Sequence, residues 1–115
     1  MTILDQLAEH ARERVNEAKR EVSLEEVRQR ALSMQKGSFV FEKALKKDGI
    51  SFICECKKAS PSKGLIAPKF LYVQIAEEYE AAGADCISVL TEPKWFLGSD
   101  EYLKEIADTV SIPCL

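Results

Sequence analysis

Apolar residues return every three or four positions up to about residue 47, and after Gly49 they gather into short unbroken runs. Leu4, Leu7, Ala11, Val15 and Ala18 fall on one side of a helix, with Asp5, Glu9, Arg12, Arg14, Glu17 and Lys19 between them. The spacing predicts an amphipathic helix with a solvated charged face. Ser23-Leu24-Glu25-Glu26 has the form of a capping box, and Val27, Ala31 and Met34 continue a second helical stripe. Lys36-Gly37-Ser38 interrupts that stripe, Phe39 to Lys47 suits a third short helix, and Asp48-Gly49 signals a turn. Beyond it, Ile50 to Lys57 predicts a strand and 60–67 a loop. Pro68 suits the first turn of a helix and Gly83 its stop, with Leu71, Ile75 and Tyr79 as the stripe between them. Asp85 to Thr91 predicts a second strand, Glu92 to Gly98 a loop, and Ser99-Asp100-Glu101 the start of a helix carrying Leu103, Ile106 and Val110. Ile112-Pro113-Cys114-Leu115 begins a third strand.

The predicted order is three helices over 1–47, then β-α-β-α-β over 48–115. Strands that alternate with helices and are apolar on both faces pair in parallel, so the fold class is α/β. Two βα units and the start of a third strand are too few to close a sheet. The chain is then either a small open α/β sheet or the opening of a (β/α)₈ barrel, which takes about 250 residues. An apolar strand left as an edge favours the second. The chain reads as a fragment.

Composition narrows the function classes. At 115 residues, 46% hydrophobic and 30% charged, the chain is one modest globular domain and neither disordered nor fibrous. A net charge of −3, with acidic and basic residues well mixed, argues against nucleic acid as the partner. No apolar run approaches the roughly 20 residues of a membrane span. Nor does Met1-Thr2-Ile3-Leu4-Asp5-Gln6 have the form of a secretory signal, so a cytoplasmic location is the default expectation. Cys54 and Cys56 stand one residue apart with no histidine nearby, and Cys86 and Cys114 lie in other apolar runs. The expectation is buried small hydrophobes in a reducing compartment, with no metal or disulfide. His10 reads as an exposed helix residue without a partner.

The stretch that carries chemistry is Glu55-Cys56-Lys57-Lys58-Ala59-Ser60-Pro61-Ser62-Lys63-Gly64. Alternation along a strand puts Glu55 and Lys57 on the same face, about 6–7 Å apart at their bases. Opposite charges at the end of a buried apolar strand are costly unless something uses them. The competing reading is a structural ion pair at a strand end. Trp95 and Phe96 offer a similar choice, between ring contact with a ligand and ordinary packing.

That stretch closely resembles the signature of indole-3-glycerol-phosphate synthases: an acidic residue, a variable one, Lys, two more positions, then Ser-Pro. Val89-Leu90-Thr91-Glu92-Pro93-Lys94-Trp95-Phe96-Leu97-Gly98-Ser99 resembles the family's second strand and following loop. Val110 to Leu115 resembles the approach to its third strand. The resemblance spans the chain and implies a helical extension, 1–47, before the first part of a TIM barrel, 48–115.

It also implies a function: ring closure, decarboxylation and dehydration of 1-(2-carboxyphenylamino)-1-deoxyribulose 5-phosphate, in tryptophan biosynthesis, without metal or organic cofactor. On the same resemblance Lys57 is a partner of the substrate carboxylate and a proton donor, and Glu55 is the neighbouring acid–base group. Ser60 and Pro61 line the site, and Phe96 packs on the anthranilate ring. Lys63 could help hold the phosphate, whereas Lys58 is more simply solvated. The family's principal general-acid lysine falls just beyond Leu115, and its general-base glutamate and phosphate loops come later still. The expectation is therefore an N-terminal portion, inactive alone, whose partners are a phosphorylated small molecule and the remainder of the barrel. The alternative from another class is a non-catalytic module that pairs its sheet edge with a copy of itself or with a complementing half.

Overall fold

A computed structural model describes residues 1–115, which divide into two compact units, Met1–Gly37 and Ser38–Leu115. The first unit is a pair of helices. Helix α1 spans Ile3–Glu21, and Thr2 starts it with a reciprocal capping box in which Thr2 Oγ1 accepts from the Asp5 N–H and the Asp5 carboxylate accepts from the Thr2 N–H. Helix α2 spans Leu24–Ser33. Its Ser23 cap accepts from the Glu26 N–H, but Glu26 does not reach back, because its carboxylate is drawn to Arg30 at 2.6 Å. The expected capping box is therefore half made. No residue of α1 or α2 is buried. His10 is not the unpartnered residue expected: Nδ1 lies 3.5 Å from Glu13 Oε2 and the side chain is only 22% exposed.

The second unit begins with helix α3, Val40–Leu45, shorter than the expected 39–47. The compact units thus divide ten residues before the boundary read from the sequence, because α3 packs on the sheet. Ser51 Oγ donates to the Leu45 carbonyl at 3.0 Å, and Cys86 Sγ lies 3.9 Å from the Phe41 carbonyl. Gly49 turns the chain at φ +87°, a conformation that favours glycine.

Strands β1, Ile53–Cys56, and β4, Cys86–Val89, pair in parallel with Ile53 opposite Cys86 and Glu55 opposite Ser88. Cys114 adds a parallel bridge to Ile87 on the other side of β4, with the Leu115 N–H donating to the Ile87 carbonyl at 2.8 Å. The stretch expected as plain loop holds a small antiparallel hairpin, β2 (Ala59–Ser60) and β3 (Gly64–Leu65). Helix α4 spans Tyr72–Ala81 with Leu71 at its N-cap. Pro68 therefore precedes the helix instead of lying in its first turn. Gly83 does end it, at φ +101°: its N–H donates to the Glu80 carbonyl and the Ala84 N–H to the Tyr79 carbonyl, closing a Schellman motif. Helix α5 spans Asp100–Thr109, and Ser99 Oγ accepts from the Glu101 N–H as expected of its cap.

One face of the sheet is closed by helices. Cys56, Ala76, Ile87, Val89, Ile106 and Val110 form the core there, with Ile87 and Ile106 fully buried. The apolar transfer that drives this closure is about 1.5–3 kcal/mol for each large side chain. No helix is long and apolar enough to cross a membrane.

Candidate functional site

The opposite face of the β1–β4 pair carries the charged residues. Glu55 and Ser88 are register partners, so their side chains stand on the same side, and Ser88 Oγ donates to Glu55 Oε2 at 3.2 Å. Lys57 Nζ lies 3.5 Å from Glu55 Oε1. The Glu55 side chain is 45% exposed and that of Lys57 36%, so the pair sits at the open end of the strand and is not buried as its apolar neighbours suggested. Desolvation therefore costs it little, and it contributes little to stability. A carboxylate, an ammonium and a hydroxyl are thereby gathered within hydrogen-bonding reach of one small open area, a set able to give and take protons. The backbone of the same segment is tied down from α4, whose Tyr79 hydroxyl donates to the Glu55 carbonyl at 3.0 Å.

Both neighbouring loops follow the C-terminal ends of parallel strands and so lie at the same end of the sheet. In the first, Ser60 is buried at the base of the β2–β3 hairpin, and its Oγ accepts from the Lys63 N–H at 3.2 Å. Pro61 and Lys63 are exposed at the hairpin tip. The Lys58 carbonyl anchors the far side by accepting from the Ile66 and Ala67 N–H groups at 2.8 and 3.1 Å. In the second loop Trp95 and Phe96 are half-buried, and Lys94 Nζ lies 4.6 Å from the Trp95 ring centroid, in cation–π range. Gly98 has no room for a side chain, because a Cβ there would stand 2.7 Å from Thr91 backbone atoms and closer still to the Leu90 carbonyl oxygen.

Residues 4–115 match the family model of indole-3-glycerol phosphate synthase. The chain belongs to this family. It is 56% identical over 114 residues to the indole-3-glycerol phosphate synthase of Ruminiclostridium cellulolyticum and 54% identical over 114 residues to that of Endomicrobium trichonymphae. Each comparison takes in 98% of this chain and 44% of the relative. The enzyme of the same name from Lachnoclostridium phytofermentans is 42% identical over 125 residues, 98% of this chain and 46% of its own length. The chain thus spans a little under half the length of the curated relatives it matches, and its α/β architecture is consistent with part of the family's TIM barrel.

Of the residues expected at the site, Glu55 and Lys57 are brought together. Ser60 and Lys63 are joined to each other in the hairpin, and Phe96 enters from the separate loop after β4. Two polar residues near this cluster and its neighbouring loop escape the sequence reading. Ser88 lies inside an apolar run and becomes visible only through the strand register. Glu92 was read simply as loop, although a carboxylate two to four residues before a turn is a known acceptor for its amides.

Proposed function

We propose that these residues form part of an indole-3-glycerol-phosphate synthase. Residues 1–47 would be its helical extension and 48–115 the first two βα units and start of the third strand of its barrel. The whole protein acts on 1-(2-carboxyphenylamino)-1-deoxyribulose 5-phosphate, closing the pyrrole ring with loss of carbon dioxide and water, as a cytoplasmic enzyme of tryptophan biosynthesis. The observation that carries this reading is the Glu55–Lys57 pair at the end of β1, 3.5 Å apart and half-open to solvent at the mouth of the sheet. In TIM barrels that end of the strands is where catalytic groups stand.

In this reading Lys57 binds the substrate carboxylate and supplies a proton for the ring-closing step. Glu55 orients that ammonium and exchanges protons with it, and the Ser88 hydroxyl steadies the second carboxylate oxygen of Glu55. Phe96 packs on the anthranilate ring, Ser60 and Pro61 wall the same pocket, and Lys63 from the hairpin tip meets the phosphate. The 115-residue chain alone lacks useful catalysis, since a barrel site depends on groups held together from several strands.

The test is turnover by the complete protein in a host lacking its own synthase. Lys57→Ala and Glu55→Gln should each lower kcat by about a hundredfold or more without loss of folded protein. Turnover by Lys57→Ala at the unsubstituted rate would overturn the assignment, and near-normal turnover by residues 1–115 alone would overturn the inactivity. A second reading, a non-catalytic module that pairs its sheet edge, draws on Phe52, just before β1, and Ile53, its first residue, which are 57% and 49% exposed. It predicts a self-associated chain in solution and a complete protein with no synthase activity.

A further inference from the structure

The Glu92 side chain gathers three consecutive backbone amides: Oε1 accepts from the Lys94 N–H at 2.8 Å, and Oε2 from those of Trp95 at 2.8 Å and Phe96 at 3.1 Å. Its own carbonyl accepts from the Gly98 N–H at 2.8 Å, so a single residue holds both ends of the loop. A carboxylate is acceptor-only and its bonds to amides are charge-assisted, which suits it to pull several N–H groups to one point. Two further features fix the same turn. Leu97 adopts φ +50°, in the left-handed region, and Gly98 presses on the backbone of Leu90 and Thr91. Glu80 makes a comparable set of bonds, to Ser111 and Ile112, but at the other end of the sheet where no candidate site residue lies.

We infer that Glu92 is a positioning residue: it holds the loop after β4 in the one conformation that presents Phe96 to the aromatic ring of the substrate. The inference rests on the reading of Phe96 as the ring contact. Glu92 itself need not touch substrate. Its effect is on binding, because a ring wall that must first be ordered spends part of its contact energy on that ordering.

The test uses the complete protein with Glu92→Ala, Phe96→Ala and the double variant, reading KM, kcat and the thermal midpoint for each. Loss of the three amide bonds should raise KM about tenfold and change kcat less than about threefold. Phe96→Ala should raise KM by a similar factor. Adding Glu92→Ala to it should then raise KM by no more than about twofold further, since the residue through which Glu92 acts is already gone. Glu92→Gln keeps an acceptor oxygen and should fall between Glu92→Ala and the unsubstituted protein. An unchanged KM in Glu92→Ala, or multiplication of the two single effects in the double variant, overturns the inference while leaving the Phe96 reading intact. An unchanged KM in Phe96→Ala overturns the Phe96 reading itself, and the inference with it. Should Glu92→Ala fail to fold, Glu92→Gln and Glu92→Asp decide, and a KM within about twofold of normal in both overturns the inference.

Discussion

The two faces of the β1–β4 pair are built from alternate residues of the same short strands, yet they differ in every property that matters for function. On one, Cys56, Ile87 and Val89 meet Ala76, Ile106 and Val110 in a closed core. On the other, Ile53 is half-exposed, and Glu55, Lys57 and Ser88 join in a polar cluster. Only the end of the second face near Cys86 is covered, by α3. The helices bury the centre of one face, around Cys56, Ile87 and Val89, while the other keeps charged groups open to solvent. Stability and chemistry are carried by opposite sides of one ladder.

The sharpest way to break this contrast is to hollow each face in turn. Ile106→Ala removes a fully buried side chain and should lower unfolding free energy by about 2–5 kcal/mol in urea titrations of the 115-residue chain. Ile53→Ala, on the half-exposed face, should cost less than about 1 kcal/mol in the same assay. Equal losses would mean that the second face is covered too. Next in size is Gly98→Ala, where the new Cβ meets backbone and not a yielding side chain; it should cost about 1–3 kcal/mol by the same titration.

A third prediction uses pH. Burial, aided by the neighbouring Cys114, Cys54 and Glu55 charges, pushes the Cys56 thiol from 9.0 up to about 11, and burial also raises Cys86 and Cys114. A raised thiol keeps its proton longer in the folded protein than in the unfolded chain. Its contribution is therefore whole below about pH 9 and is lost as pH rises toward 11. The urea midpoint should fall over that alkaline window. At a pH just below it, iodoacetamide should label Cys56 only after unfolding, and rapid labelling at Cys56 itself in the folded chain, as distinct from the half-exposed Cys54 and Cys114, would contradict the closed face. The smallest effect is expected at Lys104, whose bond to Asp108 is 2.6 Å but fully in solvent. Lys104→Ala should leave the urea midpoint where it is in the unsubstituted chain.

Much of this arrangement is legible in the residues themselves. Ser99 before Asp100 and Glu101 marks the α5 start because the cap is a local hydrogen bond. Gly83 marks the α4 stop because few other residues accept its positive φ. The runs around Cys54 and Ile87 are strands where expected, though shorter at both ends. The β2–β3 hairpin was missed because two-residue strands leave no periodicity to read. Pro68 misled because a proline that suits the first turn of a helix suits the approach to one equally well. The capping box at Ser23 failed on a competitor one turn away, Arg30, which holds the Glu26 carboxylate.

The candidate site divides in the same way. That Glu55 and Lys57 share a face follows from the two-residue repeat of a strand, and their family signature is a matter of sequence order alone. Local propensity and periodicity act over a few residues, so the residue pattern alone carries most of the helices, the cores of β1 and β4, the cap at Ser99, the stop at Gly83 and this pair. Ser88 joins Glu55 across 33 residues of chain, and Tyr79 reaches the Glu55 carbonyl across 24. Those meetings depend on strand register and helix docking, which are set by the burial of Ile87, Ile106 and their neighbours together. Which face closes, which stays open to a ligand, and which distant hydroxyl completes the polar cluster were decided only by the tertiary structure, because each requires several separated segments to pack at once.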